Sequence, residues 1–276
     1  MSSTTPLVRN LRFAIDDADV PRFWHGGRKS VTAFFDNLSI FFPVGERFFV
    51  ASVRAHQKHV TDESLAKDVR AFCGQEGVHG REHDRYNAML RARYPAAAME
   101  RRVTKLLDRV SRRLPKRMQL GATCALEHFT ALMGQFLLED PRMLEGAHPT
   151  MAALWRWHAA EENEHKAVAF DVFVAAGGTY AERVVTMIGA SVIFWAKVLE
   201  HQVRMMAHDG TLTSPREWAA LIWYLGVEPG GLRTVVRHYF AYYRPGFHPN
   251  DIDSSKQLAA WEAELASSSL YSRAAA

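Results

Sequence analysis

Cysteine is almost missing from this chain. Two residues, Cys73 and Cys124, among 276 cannot build a disulfide framework, and they point to a reducing compartment. The opening stretch MSSTTPLVRNLRFAIDDADV holds no apolar core segment, so no signal peptide is expected and a cytoplasmic location is. No apolar run reaches the roughly 20 residues that cross a membrane. The nearest, VVTMIGASVIFWAKVL at 184–199, carries Lys197 and reads as a buried helix, with contact at a membrane surface left open. Alternation of period two is also lacking, which removes sheets and leaves an all-α chain. Neither sign of charge dominates: the net charge is +4. The basic stretch RRVTKLLDRVSRRLPKR at 101–117 reads first as a solvated helix face, second as contact with an anionic membrane surface. No motif for nucleic acid accompanies it.

What is present is ordinary globular material, 48% hydrophobic and 23% charged, enough for a large core. Residues 1–31 read as an irregular N-terminal arm, with a break at His25-Gly26-Gly27. A helical pattern runs from Thr32 to about His59, where Pro43 should kink it or start a new segment. Thr61 or Ser64 is the expected cap of the next helix, which ends near Arg93 before Tyr94-Pro95. The stretch 95–115 serves as a long crossover, basic and amphipathic. Pro115 opens a helix to about Glu139, and another spans Thr150 to about Ala176, stopped by Gly177 and Gly178. Further helices are expected near 180–208, 215–225, 229–243 and 254–268. The bundle would occupy 32–178, and 179–276 would pack on it within the same domain.

Two segments repeat one pattern. GQEGVHGREHDRYN at 74–87 holds Glu76 and His79; WHAAEENEHKAVAF at 157–170 holds Glu162 and His165. Residues three apart share a helix face, so each pair can serve one metal ion. Each preceding helix carries a lone glutamate among apolar residues, Glu46 and Glu127. A buried carboxylate without a partner is costly, and a cation would compensate it. Glu46 and Glu76 each lie about 15 residues from the turn near 61, or roughly 22 Å at 1.5 Å per residue. Glu127 and Glu162 stand level about the connector near 144 in the same way. The alternative is an acidic network without metal, in which four carboxylates would repel one another.

This ligand set resembles the ferritin-like di-iron and di-manganese carboxylate proteins over residues 32–176. More narrowly, LSIFFPVGERFFVASVR, FCGQEGVHGREHDRYN, AAEENEHKAVAFDVF and the late FHPND are similar to a bacterial family called predicted metal-dependent hydrolases. The resemblance implies a four-helix bundle with additional C-terminal helices and two iron ions, or manganese. His158 completes His-x-x-x-Glu-x-x-His, a pattern similar to the third histidine of di-iron arylamine N-oxygenases, and joins the candidate ligands. His83, Asp171, Tyr86 and Asn87 are expected to support them, with Glu161 and Glu164 facing outward or also supporting. Cys73 and Cys124 are expected to be small buried residues. Bridging is expected of Glu76 and Glu162. Carboxylates with imidazoles and no thiolate suit iron or manganese. An oxygen-dependent oxidoreductase acting on an apolar small molecule or lipid is the first expectation. Metal-dependent hydrolysis is the second, and metal binding without catalysis the third. A homodimer is compatible with the sequence.

Overall fold

The computed structural model describes residues 6–15, 19–269 and 271–273. The first five residues of the expected arm lie outside these. Ten α-helices follow a short strand among the described residues: α1 (Lys29–Arg54), α2 (Glu63–Arg93), α3 (Ala96–Arg113), α4 (Lys116–Glu139), α5 (Pro149–His165), α6 (Val168–Ala175), α7 (Tyr180–His208), α8 (Pro215–Gly226), α9 (Gly231–Tyr239) and α10 (Ser255–Ser267). The all-α expectation holds, with only minimal strand pairing among the described residues. β1 (Leu11–Arg12) pairs antiparallel with β2 (Ser272–Arg273), joining the two ends of the chain.

α1 packs along α2 and α4 along α5, and α1–α4 and α2–α5 contacts close the ring. Gly134 sets the closeness of α4 and α5. A Cβ there would stand 2.9 Å from the carbonyl oxygen of Ala159, so only glycine lets the two backbones approach this far. The apolar core divides into two clusters. One holds the arm, Val31–Ile40, Tyr86, Leu90 and Met151–Ala160; the other holds Phe48–Val53, Phe72, Leu120–Leu132 and Val168–Phe173. On α1, α2 and α5, buried Glu46, Glu76, His79, Glu162 and His165 fall in sequence between these two clusters, whereas Glu127 on α4 lies within the second.

Several expectations change. α1 runs through Pro43 without a break. The cap of α2 is Asp62, whose carboxylate accepts from the Leu65 amide at 2.7 Å, rather than Thr61 or Ser64. The 95–115 crossover is itself helical, as α3. The helix expected to run to Ala176 divides at Lys166–Ala167, directly after His165, into α5 and α6. There the buried Lys166 ammonium leaves the helix to donate to the Ser254 hydroxyl at 2.8 Å. α7 is less buried than its composition suggested. It is long and apolar enough by length and composition to cross a membrane, yet only 22% of its most apolar window is buried. Val185, Ile188, Val192 and Leu199 are exposed on it.

The arm is irregular but not loose. Leu11, Phe13, Ile15, Val20 and Trp24 are all buried, and Phe13 stacks 5.3 Å from Trp157 in α5. Phe13→Ala is expected to lower unfolding stability by about 3–5 kcal/mol in urea titration, the cost of an emptied aromatic site. A loss below about 1 kcal/mol would mean that the arm is not part of the core.

Candidate metal centre

Seven side chains converge between the two apolar clusters. Three groups of donors each lie within 4.8 Å of one another: Glu46, His79 and His158; Glu76, Glu127 and His165; Glu76, His79 and Glu162. Together they contain all seven candidate ligands, one or more from each of α1, α2, α4 and α5. His165 Nε2 stands 3.2 Å from Glu76, 3.3 Å from Glu127 and 3.7 Å from Glu162. Glu162 also lies 3.0 Å from His158 Nε2 and 3.6 Å from His79 Nδ1. Neither cysteine is in these groups; burial pushes the Cys124 thiol up, as expected of an inert core residue.

The outer nitrogen of each imidazole is pinned, and the pinning fixes the tautomer. His79 Nε2 meets the Glu161 carboxyl at 3.1 Å; burial pushes Glu161 up to about 8, and once Glu161 ionises, Nε2 donates and the Nδ1 lone pair faces inward. Gln75 gives its amide hydrogens to Glu164 at 2.8 Å and to the Leu7 carbonyl, so its oxygen accepts from His165 Nδ1 at 2.9 Å. His158 is set through a longer chain. Pro43 has no amide hydrogen, which frees the carbonyl of Ser39 four residues earlier. Asn87 Nδ2 donates to that carbonyl at 3.1 Å. Asn87 Oδ1 then accepts from the Ser39 hydroxyl at 2.8 Å, and Ser39 Oγ accepts from His83 Nδ1 at 2.9 Å. His83 Nε2 is left to accept from His158 Nδ1, also at 2.9 Å. Thus three acceptor nitrogens face a group of carboxylates, an arrangement that needs protons or cations in its middle.

Carboxylate chemistry agrees. Both oxygens of Glu46, Glu76 and Glu127 are buried without a hydrogen-bond partner. Burial, followed by the charges of neighbouring glutamates, raises Glu46 well above the usual range and pushes Glu127 up to about 8. Burial likewise raises Glu76. Glu162 goes the other way: burial opposes its charge, but His158 and His165 outweigh that and hold it well below the carboxylate range. Burial depresses His165 too, and Glu127, Glu162 and Glu76 overcome it, raising the imidazole. Without a cation, the group therefore keeps protons on several donors at neutral pH. Orphaned buried oxygens and pre-aimed lone pairs are what a metal pair requires, and the seven residues fit it.

The supporting residues differ from expectation at two positions. Tyr86 points its hydroxyl at buried Asp36, which also accepts from Trp24 Nε1, and not at a ligand. Asp171 pairs with His248 at 2.9 Å on a half-exposed surface. Three supports had no expectation: Gln75, Ser39 and Arg9. Arg9 comes from the arm, bonding Glu164 at 2.8 Å and reaching Glu161 at 3.5 Å. One guanidinium therefore backs the supports of both His79 and His165. The glutamine immediately before Glu76 was the available signal for Gln75; Arg9 had none.

Two spaces reach the group. An apolar cavity of about 60 Å³ is lined by Phe34, Phe42, Met133 and Trp155 and ends on His158 and Glu162. On another side, a polar groove between α1 and α2 opens at Gly77, Gly80 and Arg47 and reaches Glu46 and Glu76. Glycine keeps that groove open: a Cβ at Gly80 would stand 3.2 Å from the Glu46 carboxylate.

Comparison with known proteins places the chain. It belongs to the family described as predicted metal-dependent hydrolase, whose model matches residues 7–253. No curated protein and no solved structure matches it.

Two outcomes follow from the geometry. Glu76→Ala and Glu162→Ala should abolish metal loading, measured by elemental analysis, whereas Gln75→Leu should weaken it by about 10–100-fold, as loss of an imidazole's partner does. Equal effects from all three would contradict the assigned roles. Metal uptake should also release protons. Glu127 holds its proton to about pH 8, so affinity should rise with pH towards that value, by about tenfold per unit for each proton displaced. For the same reason its contribution to the metal-free fold is full below pH 4.5 and is lost as pH rises to about 8. Calorimetric titration in buffers of different ionisation enthalpy measures the release; an uptake independent of pH would contradict the donor set.

Proposed function

We propose that α1, α2, α4 and α5 form a ferritin-like bundle holding two iron or manganese ions, and that the protein is an oxygen-dependent oxidoreductase of apolar substrates. The observation that carries this reading is the junction of the donor group with a hydrocarbon-lined cavity. Among the described residues around the inner cavity, Thr130 and the Trp155 indole are the only polar groups besides the candidate ligands His158 and Glu162. A site for hydrolysis of a polar substrate needs groups that hydrogen-bond the carbonyl or phosphoryl oxygen, and this wall offers few.

Iron or manganese bound by such donors supplies redox equivalents for dioxygen, and a metal pair can alternatively lower the pKa of a bound water. The chain's own residues do the rest. Glu161, Gln75 and His83 hold the three imidazoles in one tautomer each. Glu46, with no hydrogen bond and with Gly80 beside it, is the carboxylate freest to shift. Phe42, 4.3 Å from the His158 ring, excludes water from the substrate side. The groove beside Arg47 reaches the buried Glu46 and Glu76 and offers a route for ions and small polar molecules.

A second reading, metal-dependent hydrolysis, is supported by the family's description, which favours it over oxidation. The two part cleanly in one experiment. Protein loaded with Fe(II) should consume oxygen in an electrode cell, and protein loaded with Zn(II) should be inert towards p-nitrophenyl esters. Ester hydrolysis by the zinc form, with no oxygen uptake by the iron form, would overturn the oxidative reading in favour of the hydrolytic one.

A further inference from the structure

A second, larger cavity of about 340 Å³ lies between α1, α3, α4 and α7. It is within the range of small-molecule sites. It shares Leu38, Phe42, Thr130 and Met133 with the cavity that ends on His158 and Glu162. The two therefore adjoin at these four side chains and lay out a path, wide at the α3–α7 side and narrow at the donors. The narrow part, about 60 Å³, is the size of about two water molecules. A thin segment such as a methylene chain suits this space better than a ring system does.

The wide part carries one charge. On α7, Val185, Gly189, Ile193 and Lys197 are spaced four apart and form a stripe along the cavity wall. Across it stand the apolar residues of α3, among them Val103, Leu107 and Val110. Lys197 ends the stripe and is the only charged residue in the lining among the described residues. It is bonded at 2.6 Å to Glu200, which also takes Arg102 at 3.2 Å and Arg204 at 3.1 Å. One carboxylate thus serves three cations, and the rim keeps an excess of positive charge.

We propose that this path binds a single-chain amphiphile with an anionic head, a long-chain carboxylate. The head sits at Lys197, the chain follows the α7 stripe, and its far portion passes Phe42 and Met133 towards His158 and Glu162. The binding step stands on the cavity alone; only the fate of the chain's far portion rests on the two-metal reading.

Palmitate, presented below its micellar concentration and titrated calorimetrically into the protein as purified, tests this. Saturated carboxylates from ten to sixteen carbons should bind about fourfold tighter per added methylene. Hexadecanol, with the same chain and no charge, should bind about tenfold more weakly than palmitate, and Lys197→Glu should erase that difference. Gly189→Leu should weaken every ligand at least about tenfold; a Cβ at Gly189 meets nothing within 4 Å, so the added side chain fills the cavity and not the backbone's space. Met133→Trp, at the junction, should end the gain per methylene at a shorter chain, a second readout should Gly189→Leu not fold. Absence of palmitate binding, or binding untouched by Lys197→Glu, Gly189→Leu and Met133→Trp alike, would overturn the proposal. Palmitate binding by a protein whose iron form ignores oxygen would keep this site and remove the oxidative reading; oxygen uptake by a protein blind to palmitate would do the reverse.

Discussion

Four glutamates buried at one height of a helix ring set the terms for everything around them. Each carboxylate would cost several kcal/mol if charged and unpaired in such an interior. Three of them have no hydrogen-bond partner, and the acceptor nitrogens of three imidazoles face the same space. Protons relieve part of this repulsion, as the raised Glu46, Glu76 and Glu127 record. A pair of divalent cations, as proposed above, would relieve it more fully and give these orphaned donors a partner. The polar layer is tolerated between two apolar clusters because those clusters supply the folding free energy that the layer does not.

The outer ring of contacts explains why distant parts of the chain are needed for a site built on four helices. Arg9 lies in the arm, and Leu11 and Arg12 beyond it pair with the C-terminal strand. The arm therefore ties the supports of His79 and His165 to the closure of the whole fold. Pro43 plays a comparable part on the other side. The hydrogen bond it denies to Ser39 is taken by Asn87, and the resulting chain ends by aiming His158. A residue that looked like a helix breaker is instead the origin of a positioning relay.

Much of this was legible in the sequence because it depends on local periodicity. Glu-x-x-His on one face and the level heights of Glu46 with Glu76, and Glu127 with Glu162, follow from 3.6 residues per turn and 1.5 Å per residue. The bounds of α2, α4 and α7 followed from proline, glycine and apolar spacing, whereas the helix α3 was read only as a crossover. The missed features are the long-range ones. Arg9 acts on residues more than 150 positions away, and no spacing rule connects them. Asp171 sat near a motif in sequence, but the division of α5 from α6 at Lys166 left it pairing with His248. The exposure of α7 was unreadable for a related reason: composition gives a helix's apolarity, while burial depends on which neighbours reach it.

The central claim is that this group of seven side chains holds two metal ions. Anomalous diffraction from crystals of protein grown with iron or manganese, collected on both sides of the metal's absorption edge, tests it most directly. The account predicts two anomalous peaks per chain, both among Glu46, Glu76, His79, Glu127, His158, Glu162 and His165, and neither at Cys73, Cys124 or the His248–Asp171 pair. A single peak, a peak outside these seven residues, or none from protein shown to be exposed to excess metal would contradict it.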